Sequence, residues 1–329
     1  MSAWRIATIT MIAATMTVGA LAQGNGKGKG NGGGGGGGED PPAEFVPVIA
    51  YKYEGKKYED IRLSNIEGDQ SCLVLRVQKD DPQGRLATFT ISASQKRLVY
   101  SQGGALYLAI WTDDPCSMSF SSSPLVPQQP NDEGVPGIPH VDFSPDGTKL
   151  IWTRKPSSAA DTRDIWIYDF SGGLQAPIDV GYLVRYPRFS PDFANSNEIF
   201  FTGRPTGQTG RYSVYGYDLA GGPVRTIADG LNYNVFIAVS NRDSSLGVRI
   251  SAYDNDGGFL YQYDENGTQS GPPIAQAAGD LDYSCDNSRI VYSYAVNWRN
   301  NDILIANRNG SGATVWSSAD LRDLDWICE

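Results

Sequence analysis

The chain has 329 residues, a net charge of −10 and no basic stripe, which excludes a nucleic-acid-binding role because such proteins neutralise phosphates with clustered Lys and Arg. The same acidity argues against docking on anionic lipid. A single histidine excludes a multi-histidine metal centre, and we expect neither a metal nor another cofactor.

Residues 1–22 have the pattern of a signal peptide. Arg5 gives a positive start, residues 6–19 are apolar and almost uncharged, and small residues at 20–22 suit cleavage before Gln23. The apolar run of about 14 residues is shorter than the roughly 20 that cross a bilayer. We therefore expect export to the periplasm or the medium, and no transmembrane segment.

Residues 23–43 are dominated by glycine, with two lysines and no apolar run. Such a composition cannot offset the entropy of ordering, so we expect a disordered, flexible tether. Residues 44–329 then form one domain, a size that all-β domains often reach.

One strand pattern occurs six times in this domain. Each copy is followed by a turn cluster such as Ser171-Gly172-Gly173, and the copies are spaced by about 40 to 60 residues. The central residues of the six copies are Ile61, Leu106, Ile165, Val214, Leu260 and Ile303. This period is typical of a four-stranded propeller blade.

A second pattern precedes the first in each repeat unit. It is clearest in residues 138–219. There an apolar strand, 141–144, ends in Pro145-Asp146-Gly147, and a strand rich in apolar residues, 149–152, returns. Pro-Asp-Gly supplies a tight turn, so the pattern predicts a β-hairpin. No helical periodicity accompanies it.

This combination of FSPDG, an apolar strand, a DIWIYD strand and Gly-Gly resembles the TolB-type propeller repeat, a relative of WD40 blades. The resemblance implies a propeller fold. TolB-type proteins carry an α/β domain ahead of the propeller, where this chain has the glycine-rich segment. We therefore do not expect TolB's own role in the cell envelope to apply here.

The two ends of the domain complement each other. Residues 46–51 form a returning strand with no inner strand before them, and 323–328 form an inner strand with nothing after them. We therefore predict an all-β fold: a six-bladed β-propeller of four-stranded antiparallel blades, closed as a ring by Leu324 to Cys328.

The four cysteines of an exported chain are expected to form disulfides, and four cysteines allow three pairings. The repeat alignment favours Cys72 with Cys116, which follow matched anchors in adjacent units. It also favours Cys285 with Cys328, which end neighbouring inner strands.

The sequence offers little support for catalysis, and we predict no catalytic residue. His140 has no nucleophile motif near it, so we expect a structural residue with satisfied hydrogen bonds. Asp142, Asp282 and Asp325 share one repeat position, which favours a structural role in which they accept hydrogen bonds between blades. The alternative is a carbohydrate-active enzyme, a glycosidase or lyase, that uses these carboxylates.

Loops between the second and third strands carry the aromatic and arginine residues that binding sites favour. The candidate binding residues are Tyr53, Arg154, Arg204, Arg211, Trp298 and Arg299. They predict a non-catalytic binding module for an anionic protein or glycan partner at the cell envelope. Ordinary solvated loops are an equally good interpretation, and we expect a monomer.

Overall fold

The structure is a computed structural model that describes residues 46–128, 140–154, 163–192, 197–231, 237–240, 249–254, 259–276, 280–297, 300–318 and 321–328. All of these lie in the unit Phe45–Glu329. The strands in these ranges form six four-stranded sheets, which we number as blades 1 to 6. Within the blades, neighbouring strands are antiparallel.

The strands follow one another along the chain, blade by blade. Blade 1 contains β1 (Ile49–Glu54), β2 (Tyr58–Ser64) and β3 (Ser71–Gln78). Blade 2 contains β4 (Leu86–Ser92), β5 (Arg97–Gln102), β6 (Ala105–Ile110) and β7 (Ser119–Phe120). Blade 3 contains β8 (Val141–Phe143), β9 (Lys149–Arg154), β10 (Asp164–Asp169) and β11 (Gly173–Leu174).

The second half of the ring has the same order. Blade 4 contains β12 (Arg185–Phe189), β13 (Glu198–Gly203), β14 (Tyr212–Asp218) and β15 (Arg225–Leu231). Blade 5 contains β16 (Ile237–Val239), β17 (Arg249–Asp254), β18 (Phe259–Asp264) and β19 (Ala275–Gln276). Blade 6 contains β20 (Leu281–Tyr283), β21 (Arg289–Asn297), β22 (Asn300–Asn307) and β23 (Thr314–Ser317). The last strand, β24 (Leu321–Trp326), returns to blade 1 as its innermost strand.

The blades are arranged as a ring around their innermost strands. Each innermost strand contacts the next one, from β4 through β8, β12, β16 and β20 to β24, and β24 contacts β4 again. Six apolar clusters lie between neighbouring blades; between blades 2 and 3, for example, Leu106 and Val99 pack with Val141 and Trp152. Because these side chains leave water only when two blades meet, apolar burial holds the ring together.

The hairpin between the first and second strands has the turn chemistry that the sequence predicts. In blade 3, Gly147 has a φ of 66°, and a Cβ there would lie 2.3 Å from Ser92 Oγ of blade 2. The Ser144 hydroxyl donates to Asp146 Oδ1 at 2.6 Å, and the same carboxylate accepts from the Thr148 amide at 3.1 Å. The turn therefore needs glycine both for its backbone conformation and for the close approach of blade 2.

The predicted fold of six regular four-stranded blades needs correction at the outer edge, where the fourth strand is short in several blades. The outermost strand has eight residues in β3 and seven in β15, but two residues in each of β7, β11 and β19. Prolines lie beside the short ones, at 115, 124, 177, 272 and 273. Because proline cannot donate a ladder hydrogen bond, it limits these edges to short pairings.

The closing strand pairs with β1 as the repeat pattern indicates, with Ile49 opposite Trp326 and Tyr53 opposite Leu321. Its bounds differ from the predicted Leu324 to Cys328. The strand begins three residues earlier, because Leu321 and Leu324 both face the apolar cluster between blades 6 and 1. It ends at Trp326, and Ile327 and Cys328 follow outside it.

Both predicted disulfide pairings are confirmed. Cys72 of β3 is bonded to Cys116, with a Cα–Cα distance of 5.9 Å, and Cys285 is bonded to Cys328 at 5.2 Å. The first bond joins blade 1 to blade 2, and the second joins blade 6 to the end of β24. Blade 1 is therefore covalently attached to both of its neighbours.

Candidate functional site: the central channel

The residues that face the channel come from matching positions of the innermost strands. Side chains alternate along a strand, so residues two apart point the same way. One layer around the axis, the Arg188 layer, consists of Thr90, Asp142, Arg188, Ala238, Asp282 and Asp325. It holds three carboxylates and one cation.

Each carboxylate of the Arg188 layer bonds the next blade. Asp142 Oδ2 accepts from the Phe189 amide at 3.2 Å, and Asp282 Oδ2 accepts from the Trp326 amide at 2.7 Å. Asp325 Oδ2 accepts from the Ile91 amide of blade 2 at 3.0 Å. The predicted hydrogen bonds of the three aspartates between blades are thereby confirmed.

Arg188 is the cation that these carboxylates share. Its Nη1 donates to Asp142 Oδ1 at 2.8 Å. Burial opposes its charge, but Asp142, Asp282 and Asp325 raise the pKa of Arg188, so it stays protonated. One cation does not neutralise three carboxylates.

The excess of negative charge contributes to raised pKa values of Asp282 and Asp325. Burial raises the pKa of Asp282 to about 6, and Asp142 contributes in the same direction. Burial raises the pKa of Asp325 well above its usual range, and the neighbouring Asp282 adds to the shift. A proton or an added cation would relieve this repulsion.

A wide cavity, the mouth cavity, lies on the side of the Arg188 layer where the first-to-second-strand hairpins are found. Its volume is about 500 Å³, which is within the range of ligand sites. Besides the charged layer, it is lined by Ser92, Ser94 and Ser144 of the hairpins and by residues that follow the charged layer along the strands, such as Phe143. We call this end of the propeller the hairpin face.

A second layer lies two residues earlier in the strands, on the opposite side of Arg188. It includes His140, whose ring makes an edge contact with Tyr186 at a centroid distance of 5.7 Å. The prediction that the hydrogen bonds of His140 are satisfied is wrong for Nε2, which has no partner among the described residues. Burial lowers the pKa of His140 well below its usual range, with Arg188 adding to the shift, so the ring is neutral.

The predicted binding residues lie at the other end of the propeller, the loop face, where second and third strands connect. Tyr53, in β1, has the Arg62 guanidinium 5.8 Å from its ring centroid. Arg204 lies 5.4 Å from the centroid of the Tyr212 ring. Arg211 is exposed and donates to the Gly230 carbonyl at 3.0 Å. These side chains share a face, and their role in binding stays a prediction.

Arg154 differs from the other candidates because it is 1% exposed. Its Nη2 donates to the carbonyls of Gly104 and Pro127 at 2.9 and 3.0 Å. Arg154 therefore joins blade 3 to blade 2 and does not form part of an open surface. Trp298 and Arg299 lie outside the described residues.

The sequence did contain a signal for the mouth cavity. Arg188 precedes Phe189-Ser190-Pro191 just as Asp142 precedes Phe143-Ser144-Pro145, so a cation occupies the repeat position of an acid. Propeller repeats put that position on the channel wall. An arginine at the repeat position of aspartates therefore indicates a layer of mixed charge on the channel wall.

The described ranges contain neither a metal-site cluster nor a membrane-spanning helix. There, no cluster of three or more His, Cys, Asp or Glu side chains has the arrangement of a metal site. Likewise, no helix in those ranges has the length and hydropathy of a membrane span.

Comparison with known proteins relates the chain to solved propellers. No protein-family model matches it, and no similar sequence was found among curated proteins. TolB from Acinetobacter baumannii has a TM-score of 0.55 at 16% identity, covering 88% of this chain and 68% of that one. The protein assigned as TolB from Agrobacterium tumefaciens has a TM-score of 0.57 at 17% identity, covering 80% and 90%.

A chain of a nidogen/laminin complex is also similar, with a TM-score of 0.59 at 11% identity over 86% of this chain and 98% of that one. At such identities the likeness concerns the fold. The protein is a β-propeller, and its propeller is similar to those of TolB proteins.

Proposed function

We propose that the protein is an exported, non-catalytic binding module whose mouth cavity receives part of a protein partner. The observation that carries this proposal is the mouth cavity itself. It is large enough for a ligand, and charged and serine residues converge on it, as polar residues do in binding sites. Its carboxylates are already engaged in hydrogen bonds between blades.

Export is supported by the two disulfides, because such bonds persist in oxidising compartments. The signal-peptide pattern of residues 1–22 agrees with them. If the proposal holds, the mature protein begins at Gln23, which N-terminal sequencing of protein recovered outside the cytoplasm would show. Recovery of an uncleaved chain from the cytoplasm would contradict export.

A protein partner is supported by the nidogen/laminin complex, in which a chain of similar fold has a protein partner. A glycan partner is the second candidate, favoured by the charged and serine residues that line the mouth cavity, since such side chains form hydrogen bonds with hydroxyl groups. Proteins of one fold often differ in function, so the site has to be tested directly.

The test blocks one face at a time. Ser94 is exposed and lines the mouth cavity, and Gln208 is exposed on the loop face between β13 and β14. The variants Ser94→Trp and Gln208→Trp each add one indole at an exposed site, where changes usually alter stability within about 0.5 kcal/mol. The wild type and the two variants are each immobilised and incubated with a cell-envelope extract from the organism that makes the protein. The amount of partner protein that each one retains is then measured.

Loss of partner with Ser94→Trp but not with Gln208→Trp supports the mouth cavity. The reverse result moves the site to the loop face with Tyr53, Arg204 and Arg211. The enzyme alternative is tested on a polysaccharide panel. Turnover by the wild type that Asp282→Asn abolishes would replace the binding proposal.

A further inference from the structure

A small cavity, the interior cavity, lies on the loop-face side of the Arg188 layer. Its volume is about 30 Å³, the share of one water molecule in the liquid. Its polar lining is Thr88, His140, Tyr186, Asp280, Asp323 and Asp325, together with Arg188. Arg188 and Asp325 also line the mouth cavity, so one layer of side chains separates the two spaces.

Four buried polar atoms of residues that line the interior cavity have no hydrogen-bond partner in the described ranges. Thr88 is 0% exposed, and its Oγ1 is one of them. The others are Nε2 of His140, Oδ2 of Asp323, which is ion-paired with Lys52, and Nε of Arg188. Three of the four atoms can accept a hydrogen bond, and Arg188 Nε can only donate one. Folded proteins rarely leave such groups unpaired, because water would have bonded them in the unfolded chain. They therefore indicate an occupant that forms hydrogen bonds.

The charged side chains around the interior cavity indicate that the occupant carries a positive charge. Lys52 Nζ pairs with Asp323 Oδ2 at 2.8 Å and donates to the Ala87 carbonyl at 2.7 Å, so Asp323 has its own cation. Arg188 is bonded to Asp142. Neither Asp280 nor Asp325 forms an ion pair within the described part of the chain. Burial raises the pKa of Asp280 to about 6, and Asp323 adds to the shift.

The geometry also limits the kind of cation. A zinc ion or a calcium ion held by carboxylates needs three or more such ligands converging on one point, and the described residues contain no such group of His, Cys, Asp or Glu. An ammonium group needs instead separate acceptors around a water-sized volume, because it has several N–H donors. The chain already accommodates one such group nearby, in Lys52.

We propose that the interior cavity binds one primary ammonium group, with Asp280 and Asp325 balancing its charge and Thr88 Oγ1 and His140 Nε2 accepting hydrogen bonds. The group has two conceivable sources. It is either a free ammonium ion or the terminal amine of a ligand that reaches past Arg188 from the mouth cavity. Both sources use the same chemistry.

The first experiment uses ¹⁵N-labelled ammonium chloride with the full-length protein and proton-detected NMR at neutral pH. Exchange with water broadens the signal of the free ion, whereas an enclosed ion keeps its N–H coupling. A matched titration with sodium chloride controls for ionic strength. We expect a protected ammonium signal and a rise in thermal midpoint with ammonium that exceeds the rise with sodium, since binding to the folded state stabilises it.

The variant Thr88→Val replaces the unpaired hydroxyl with a methyl group of similar size. We expect it to weaken ammonium binding about tenfold, the effect of losing one hydrogen bond to a charged group. Thr153→Val is the matched control. Thr153 is also 0% exposed with an unpaired Oγ1 among the described residues, and it does not line the cavity. We expect unchanged affinity in this control.

The source is distinguished with n-butylammonium, which has the length of a lysine side chain. Binding tighter than that of ammonium, and weakened by Thr88→Val, indicates a tethered amine from a ligand. Binding of ammonium alone indicates the free ion. The proposal is overturned if no protected signal appears and ammonium stabilises no more than sodium. Equal weakening by Thr88→Val and Thr153→Val also overturns it.

Discussion

Blade 1 and blade 4 have the same order of four strands, but the chain assembles them differently. Blade 4 consists of consecutive strands, β12 to β15, whereas blade 1 combines β1 to β3 with β24 from the other end of the domain. Joining distant segments costs loop-closure entropy before any contact forms. The two disulfides lie at the two boundaries of blade 1, and blade 4 contains no cysteine. Covalent bonds therefore reinforce the blade that chain connectivity leaves weakest.

The interiors of the two blades differ as well. At matching positions of the third strand, blade 1 buries Glu59 and Asp60, and blade 4 buries Tyr212 and Ser213. Glu59 Oε2 accepts from the Leu86 amide of blade 2 at 2.9 Å, while Tyr212 belongs to an apolar cluster with blade 5. Blade 1 thus uses directional polar contacts with blade 2 where blade 4 uses apolar packing.

Removing β24 tests the closure most severely. Deletion of residues 320–329 exposes the apolar surface that Leu321, Leu324 and Trp326 bury, each worth about 1.5–3 kcal/mol. It also opens the ring. We expect the whole domain to lose cooperative unfolding, measured by circular dichroism during heating. A chain lacking residues 23–38 is the control and should unfold at the wild-type temperature. An unchanged midpoint in the C-terminal deletion would contradict a closed ring.

Removing either disulfide tests the covalent part of the comparison. The bonds span sequence separations of 44 and 43 residues. In the chain-entropy model the loss of either costs about 4 kcal/mol. We expect Cys72→Ser/Cys116→Ser and Cys285→Ser/Cys328→Ser to lower the unfolding free energy by similar amounts in urea denaturation. A negligible loss in one of them would mean that its blade boundary is held by packing alone.

The polar contact of Glu59 predicts a smaller difference between the blades. Glu59→Gln keeps the shape but weakens the acceptor of the Leu86 amide and removes the partner charge of Arg85. We expect a loss of about 2 kcal/mol in unfolding free energy. Tyr212→Phe, at the matching position of blade 4, removes only a hydroxyl and should cost less than about 1 kcal/mol. Equal losses would show that the two blades do not differ in this respect.

The features that the sequence predicted correctly depend on residues that are close together in the chain. The Pro145-Asp146-Gly147 turn and the alternation of the strands are local, and the repeat alignment extends them to pairs such as Cys72 and Cys116. The burial of Arg154 could not be predicted, because its partners, the carbonyls of Gly104 and Pro127, come from a distant part of the chain. At the end of a strand, an arginine bonded to distant carbonyls has the same sequence pattern as one in an exposed loop. The interior cavity likewise arises from residues of several blades, so no local pattern marks it.

Blades 1 and 4 contribute opposite charges to the Arg188 layer. Blade 4 supplies the cation Arg188, blade 1 supplies Asp325, and blade 6 supplies Asp282. Burial raises the pKa of Asp282 to about 6, against about 3.9 in an unfolded chain. The folded state therefore holds the Asp282 proton more tightly than the unfolded chain does. The contribution of Asp282 to the unfolding free energy is thus largest below about pH 4, and it falls as the pH rises through about 6.

Asp282→Asn keeps an oxygen acceptor for the Trp326 amide and removes the charge that burial disfavours. We expect it to raise the unfolding free energy at about pH 7.5 by on the order of 1 kcal/mol, and by less at about pH 4.5, where the folded carboxyl is protonated and only the unfolded chain is ionised. Arg188→Met should act in the opposite direction and most strongly at the higher pH, because three buried carboxylates then lose their shared cation. Urea denaturation of the wild type and of both variants at the two pH values measures these changes in unfolding free energy. If Asp282→Asn destabilises equally at both, the hydrogen bond to blade 1 outweighs the charge, and the carboxylates of the layer act only as connections between blades.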